Sequence, residues 1–179
     1  PDLGENAVYK AAKAIRHLEA FDFQTPPHHL LGKPTLVVSR IHGGININSV
    51  PDQAVTSIDI RTIPGQNHDR IQDNLQQQLG PDTEIVKLEE VNPVATDPDD
   101  PWIQSVYTVM ADFLGQKITH RSVAYFTDAS VLKPAYGEPP CVILGPGEAA
   151  QAHQTDEFCF ISRIDQAADA YIRIVEQGI

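Results

Sequence analysis

Ala54-Val55-Thr56-Ser57-Ile58-Asp59-Ile60-Arg61-Thr62-Ile63 alternates without a break. Val55, Ser57, Asp59 and Arg61 fall on one side, and Thr56, Ile58, Ile60 and Thr62 on the other. That period of two predicts a half-exposed strand whose second set faces a core. Pro64-Gly65 closes it. Before it, the β-branched and apolar run Thr35–Ile41 predicts a partner strand, and Gly43-Gly44 permits a sharp bend. Ile45-Asn46-Ile47-Asn48 then runs on to Pro51.

Helical patterns flank this pair. From Asn6 to Phe21, Ala7, Ala11, Ile15 and Leu18 recur with Val8 and Ala12 alongside, the spacing of one buried stripe, with Asp2 or Gly4 expected to begin the helix. Asn67 caps a second pattern, Ile71, Leu75 and Leu79, which Gly80-Pro81 ends. Glu84–Val91 reads as a further strand. The order helix–strand–strand–helix–strand predicts a two-layer α/β sandwich. A ferredoxin-like version needs one more strand before Pro1, and that sandwich is therefore incomplete. The abrupt opening, with no Met at position 1 and the only Met at Met110, leads us to expect a piece of a longer polypeptide.

Asn92–Asp100 is rich in Pro and Asp, and a domain boundary is expected there, with one domain over residues 1–92 and another over 98–179. Asp100-Pro101 reads as a cap and first residue of a helix burying Val106, Val109, Met110, Phe113 and Leu114. Lys117–Val123 and Cys141–Leu144 read as strands, with a short helix after Thr127-Asp128. Ser162-Arg163-Ile164-Asp165 resembles a capping box opening a last helix, with Ala167, Ala168, Tyr171, Ile174 and Val175 inside. The second domain is thus a partial α/β segment.

A net charge of −11 argues against nucleic acid as a partner, because phosphate binding needs concentrated Lys and Arg. It also leaves no polybasic stretch for an anionic membrane, and no apolar run reaches the roughly 20 residues of a span. Cys141 and Cys159 lack zinc-ribbon or Cys-x-x-Cys spacing, so free thiols in a reducing cytoplasm are expected.

The chemistry-bearing residues are scattered. His153 sits in the polar loop Gly145–Phe158, with Asp156 and Glu157 close behind. By itself it reads as a metal ligand, a proton carrier or an exposed side chain. No His-x-x-x-His or His-Glu-x-x-His accompanies it. His42 precedes two glycines, either as part of a plain turn or as an imidazole brought close to a ligand. Arg61 is an exposed charge or a carboxylate clamp. Asp128 is a helix cap, a ligand contact or both. Gly145-Pro146-Gly147 lacks the Lys and further glycines of a phosphate loop, and no Gly-x-Ser-x-Gly is present.

Taken in order, these stretches resemble the second half of the metal-dependent amidohydrolase and exopeptidase family that includes acetylornithine deacetylase and succinyl-diaminopimelate desuccinylase. The resemblance rests on Pro1-Asp2-Leu3-Gly4-Glu5-Asn6-Ala7, on Ile41-His42-Gly43-Gly44 through Asn48-Ser49-Val50-Pro51, and on Asp59-Ile60-Arg61. It continues through Tyr125-Phe126-Thr127-Asp128-Ala129 and Leu144-Gly145-Pro146-Gly147 to Ala152-His153-Gln154-Thr155-Asp156-Glu157-Phe158. It implies that residues to about 92 are a lid, or dimerisation, domain and that residues from about 98 return to the catalytic domain. It implies His153 as a metal ligand and His42, Asn48, Arg61, Thr127, Asp128, Gly145 and Gly147 as substrate-binding positions. Two zinc ions per full-length subunit, with cobalt a substitute, an N-acyl amino acid substrate and a homodimer through the lid follow from the same resemblance. The family's other metal ligands and its general-base Glu match nothing here, so this chain has no catalytic residue of its own, holds one incomplete metal site and is expected to be inactive alone. N-acetylornithine, in arginine biosynthesis, is the expected substrate. The alternatives are a desuccinylase, a related metallopeptidase, or a dimerisation module without chemistry.

Overall fold

The computed structural model describes residues 4–152 and 154–177. The chain divides into two units, Pro1–Pro93 and Val94–Ile179.

In the first unit, α1 (Ala7–Glu19) begins where Asn6 turns out of helical geometry and its Oδ1 accepts from Val8 N at 3.0 Å and Tyr9 N at 3.1 Å. Those two bonds satisfy amides that a helix start leaves unpaired. β1 (Thr35–Gly43) and β2 (Ala54–Arg61) form an antiparallel pair from Thr35↔Arg61 to Gly43↔Ala54. α2 (His68–Leu79) starts at Asn67, whose side chain accepts from Arg70 N, and stops at Gly80, φ +82°. Leu18 of α1 and Ile71 and Leu75 of α2 pack with Leu36, Val38, Ile58 and Ile60 from one face of the strand pair. This is the two-layer arrangement, with the core face of β2 as the alternation predicts. Burial stabilises it at about 25 cal/mol per Å² of apolar surface removed from water.

The ladder shifts register between Val38 and Arg40. Ser39 is the extra residue, and its Oγ donates to Ser57 O at 3.2 Å. Leu36 and Val38 face the helices before the bulge; after it, Ile41 and Gly43 do. Arg40 and His42 are thereby turned to the outer face, paired with Ser57 and Val55.

The predicted strand at Glu84–Val91 is not formed, and the only sheet among the described residues is the two-stranded β1–β2. A strand exists by exchanging backbone bonds with a neighbour. This segment is held by side chains instead. Gln76 Nε2 donates to Thr83 O at 2.8 Å, Ile85 joins the core, and Lys87 Nζ donates to Glu90 at 2.6 Å. Val86 and Leu88 are exposed.

Lys10 joins Glu5 and Asp82, the latter at 2.7 Å, tying α1 to the turn after α2. The hydrogen bond from Lys10, then its charge, holds the Asp82 carboxyl below the usual range, while Lys10 is pushed up to about 12 by Asp82 and Glu5. Asp82 therefore favours the folded state above its unfolded pKa and loses that contribution as pH falls through its lower folded value. Lys10 contributes below 10.5 and loses its share as pH rises through about 12. A carboxyl ¹³C titration is expected to show Asp82 ionising below its ordinary range, and Lys10→Ala to restore it. An unchanged Asp82 midpoint in that variant would refute the tie.

In the second unit, α3 (Pro101–Leu114) is capped by Asp100, which accepts from Trp102 N at 2.8 Å and Ile103 N at 3.3 Å, with Pro101 in the first turn. Gly115 ends it in the left-handed region. α4 (Ala129–Ala135), a 3₁₀ turn (Ala149–Gln151) and α5 (Ile161–Glu176) follow. Val106 and Val109 of α3 and Ile174 of α5 form the core, with Met110, Phe113, Val142 and Leu144 against it. Several expectations fail here. Leu114, Val175 and Tyr171 are exposed, whereas Ile103 and Ala170 are buried. α5 starts at Ile161 after Phe160, with no side-chain cap, so Ser162–Asp165 is not a capping box: Ser162 already lies inside the helix. Neither Lys117–Val123 nor Cys141–Leu144 is a strand. The latter is fixed by Cys141 N donating to Thr96 Oγ1 at 3.0 Å and by Tyr171 Oη donating to Leu144 O at 2.5 Å, bonds that replace a ladder.

No helix is long and apolar enough to cross a membrane among the described residues.

Candidate functional site

In the first unit the outer face of the strand pair carries the candidate groups in rows. Thr35 lies opposite Arg61, Val37 opposite Asp59, Arg40 opposite Ser57 and His42 opposite Val55. Paired residues share a face, so Arg61 and His42 both point away from the helices. They stand six β2 positions apart, about 20 Å at 3.3 Å per residue. Asn48 lies in the exposed loop beyond Gly43, among Ile45 and Ile47, which are almost wholly uncovered. The hairpin thus places His42 and Asn48 towards one end and Arg61 at the other.

Arg61 Nη2 donates to Asp59 Oδ2 at 2.7 Å, with both side chains about half exposed, at 47% and 48%. A guanidinium has five N–H donors in a plane, so most of that edge is left for an incoming carboxylate. The glycines beside His42 have a structural explanation. A Cβ on Gly43 would lie 2.7 Å from Val8 Cγ2 and 3.0 Å from Ala54 Cβ. Gly44 has φ +80°.

His68 belongs to no motif in the sequence, yet its ring is held on both sides. Nε2 lies 3.0 Å from Thr62 Oγ1 and Nδ1 3.0 Å from Glu90 Oε1. Its side chain is only 16% exposed. The Asn67 cap signal puts this residue in the first turn of α2, but nothing in the sequence shows that Glu90 returns to meet it.

In the second unit Thr127 is half-buried, and its carbonyl accepts from Ser130 N at 3.1 Å and from Ser130 Oγ at 2.9 Å. Asp128 occupies the cap position of α4 but caps nothing with its side chain. Its backbone is already helical, φ −58° and ψ −17°, whereas side-chain capping needs an extended residue there. Its carboxylate remains exposed. Gly145 and Gly147 face open space and have no positive φ. Arg163 pairs with Glu148 and its guanidinium lies 5.2 Å from the Phe160 ring centre, which pins the far side of the loop. Asp156 has φ +62°, a left-handed geometry that Asp tolerates better than most residues.

His153 lies outside the described residues. Among the described residues no three His, Cys, Asp or Glu side chains gather. A zinc site needs three or four such donors, so these residues do not by themselves hold the ion.

Residues 1–85 match the family model for a peptidase dimerisation domain of M20 type. The chain is 28% identical over 173 residues to the acetylornithine deacetylase of Photorhabdus laumondii, covering 92% of this chain and 44% of that protein. A probable succinyl-diaminopimelate desuccinylase of Staphylococcus epidermidis is 28% identical over 158 residues, covering 83% and 39%. The acetylornithine deacetylase of Aliivibrio salmonicida is 34% identical over 141 residues, covering 74% and 35%. The chain thus spans less than half the length of these relatives. In fold it is similar to an M20 family metallo-carboxypeptidase from Sulfolobus solfataricus, with a TM-score of 0.68 and 18% identity over 97% of this chain and 45% of that one. Residues 1–85, with the alternating strand and the two Asn-capped helices, thus belong to the M20 peptidase dimerisation domain family.

Proposed function

We propose that the chain is part of a zinc-dependent deacylase that hydrolyses the amide bond of an N-acylated amino acid, N-acetylornithine first among them, for arginine biosynthesis in the cytoplasm. The observation that carries this reading is Arg61: it stands on the outer face of the hairpin with guanidinium N–H groups to spare, in a chain similar over nine-tenths of its length to an acetylornithine deacetylase. The first unit acts as the lid and dimerisation domain and the second as part of the catalytic domain. Arg61 clamps the substrate carboxylate, a planar fork meeting a planar acceptor. His42 and Asn48 contribute from the other end of the hairpin, and Thr127, Asp128, Gly145 and Gly147 line the pocket. When bound, zinc polarises the scissile carbonyl and activates water. His153 is one ligand, and the others, with the general base, come from parts of the relatives' length that this chain does not match.

The 179-residue chain alone is accordingly expected to release no ornithine from N-acetylornithine in the presence of zinc or cobalt, measured by amine detection. Turnover by the chain alone would overturn the assignment. Sedimentation is expected to show a dimer, and a monomer at micromolar concentration would remove the dimerisation role. The dimerisation-domain match also supports a second reading, a module that associates without chemistry. N-acetylornithine binding that depends on Arg61 separates the two.

A further inference from the structure

The outer face of β2 carries more than a carboxylate clamp. Asp59 and Arg61 are two residues apart on one face, about 7 Å along the strand. Asp59 Oδ2 accepts from Arg61 Nη2, and among the described hydrogen bonds its other oxygen takes none, on a side chain 48% exposed. Directly across the ladder from Asp59 stands Val37, 56% exposed and the one apolar side chain in these two rows. Thr35, across from Arg61, adds no charge. Arg40 lies in the next row, opposite Ser57, and the described ion pair of Asp59 is with Arg61.

We infer that Asp59, with Val37 beside it, is a specificity-determining site for a ligand that bears both a carboxylate and an ω-ammonium joined by a short methylene chain. This rests on the reading of Arg61 as the carboxylate clamp and adds what that reading does not contain: which residue selects the side chain. The carboxylate takes the free edge of the guanidinium. The methylenes cross Val37. The ammonium reaches the open oxygen of Asp59, an acceptor with no competing donor beyond the single bond from Arg61. An amino acid with a neutral side chain leaves that oxygen to water and gains nothing. One with an acidic side chain meets like charge. A lone cation lacks the clamp. The half-exposure of the pair sets the size of the effect, because solvent screens such contacts.

The test is an NMR titration of the ¹⁵N-labelled 179-residue chain with N-acetylornithine and with N-acetylnorvaline, which has the same carbon skeleton without the ammonium. Wild type is expected to bind the ornithine derivative about three- to tenfold more tightly, with shifts centred on residues 59–61. Asp59→Asn is expected to erase that preference while leaving the norvaline affinity unchanged. Arg61→Ala is expected to weaken both ligands alike. Equal affinities in wild type, or a preference that survives in Asp59→Asn, would overturn the role of Asp59. A parallel fall for both ligands in Asp59→Asn would also overturn it, since Asp59 would then only position Arg61. Unchanged binding of both ligands in Arg61→Ala would instead overturn the clamp. Absence of binding to wild type up to millimolar ligand would overturn both.

Discussion

Leu75→Ala is expected to lower the stability of the first unit by about 2–5 kcal/mol, the usual cost of emptying a Leu site in a packed core. Leu75 is 3% exposed and lies at the centre of the cluster that joins α1, α2 and the strand pair. The truncation removes apolar atoms that contact several elements at once, and a two-stranded sheet offers few neighbours to collapse into the space. Urea unfolding followed by circular dichroism measures it, through a lower midpoint at an unchanged slope. Leu79 lies on the same stripe but is half-buried, so Leu79→Ala is expected to cost less. Equal losses at the two positions would mean that the stripe packs uniformly, contrary to the structure.

Gly43→Ala is expected to cost about 1–3 kcal/mol, because the added methyl overfills a packed contact. The Cβ would stand 2.7 Å from Val8 Cγ2, and Ala54 blocks the escape at 3.0 Å. Relief requires α1 to lift from the hairpin end, which also disturbs the bond from Ala7 N to Pro51 O. Gly147→Ala is the control. Open space surrounds that position and its φ is not positive, so the change is expected within about 0.5 kcal/mol of neutral or slightly stabilising. Thermal unfolding of the two variants side by side reads the contrast. A neutral Gly43→Ala would mean that α1 does not approach the strand as described. The glycine beside His42 then has a packing reason, and the Gly145–Gly147 pair has none.

The pattern of legible and illegible features follows the range of the forces involved. Helix boundaries at Asn67, Asp100 and Gly115 were readable because capping is settled within four residues of chain, whereas α1 starts at Asn6 and not at the expected Asp2 or Gly4. Ser162 fails as a cap although the local pattern is present, because the cap position is Phe160 and the helix begins at Ile161, two residues earlier than a Ser162 cap requires. The stripe Ile71, Leu75, Leu79 and the core face Ile58, Ile60 were readable because periodicity alone assigns one face. α5 shows the limit. Its apolar residues cover a broad arc opposite a polar face, so only packing against α3 decides that Ala170 and Ile174 within that arc are covered while Val175 is not. The strands expected at Glu84–Val91 and Cys141–Leu144 failed because apolar content describes burial, whereas a strand also needs a neighbour's backbone.

The same division holds for the candidate site. The resemblance to the family was legible in the sequence as ordered motifs. Asp59 was legible only as part of the Asp59-Ile60-Arg61 motif, and its open oxygen beside an exposed Val37 was not. The amino-acid order determined the alternation of β2, the face of Arg61, the caps and the core stripes, since each depends on side chains adjacent in the chain or one turn apart. Tertiary structure decided the rest. Strict alternation from Leu36 and Val38 would have turned His42 towards the helices. The bulge at Ser39, set by pairing with β2, turns it outward with Arg61 and Asp59. His68 became a half-buried link between Thr62 and Glu90 because the chain folds back across α2, and a contact between residues 22 positions apart exists only once the chain has paid the entropy of closing that loop.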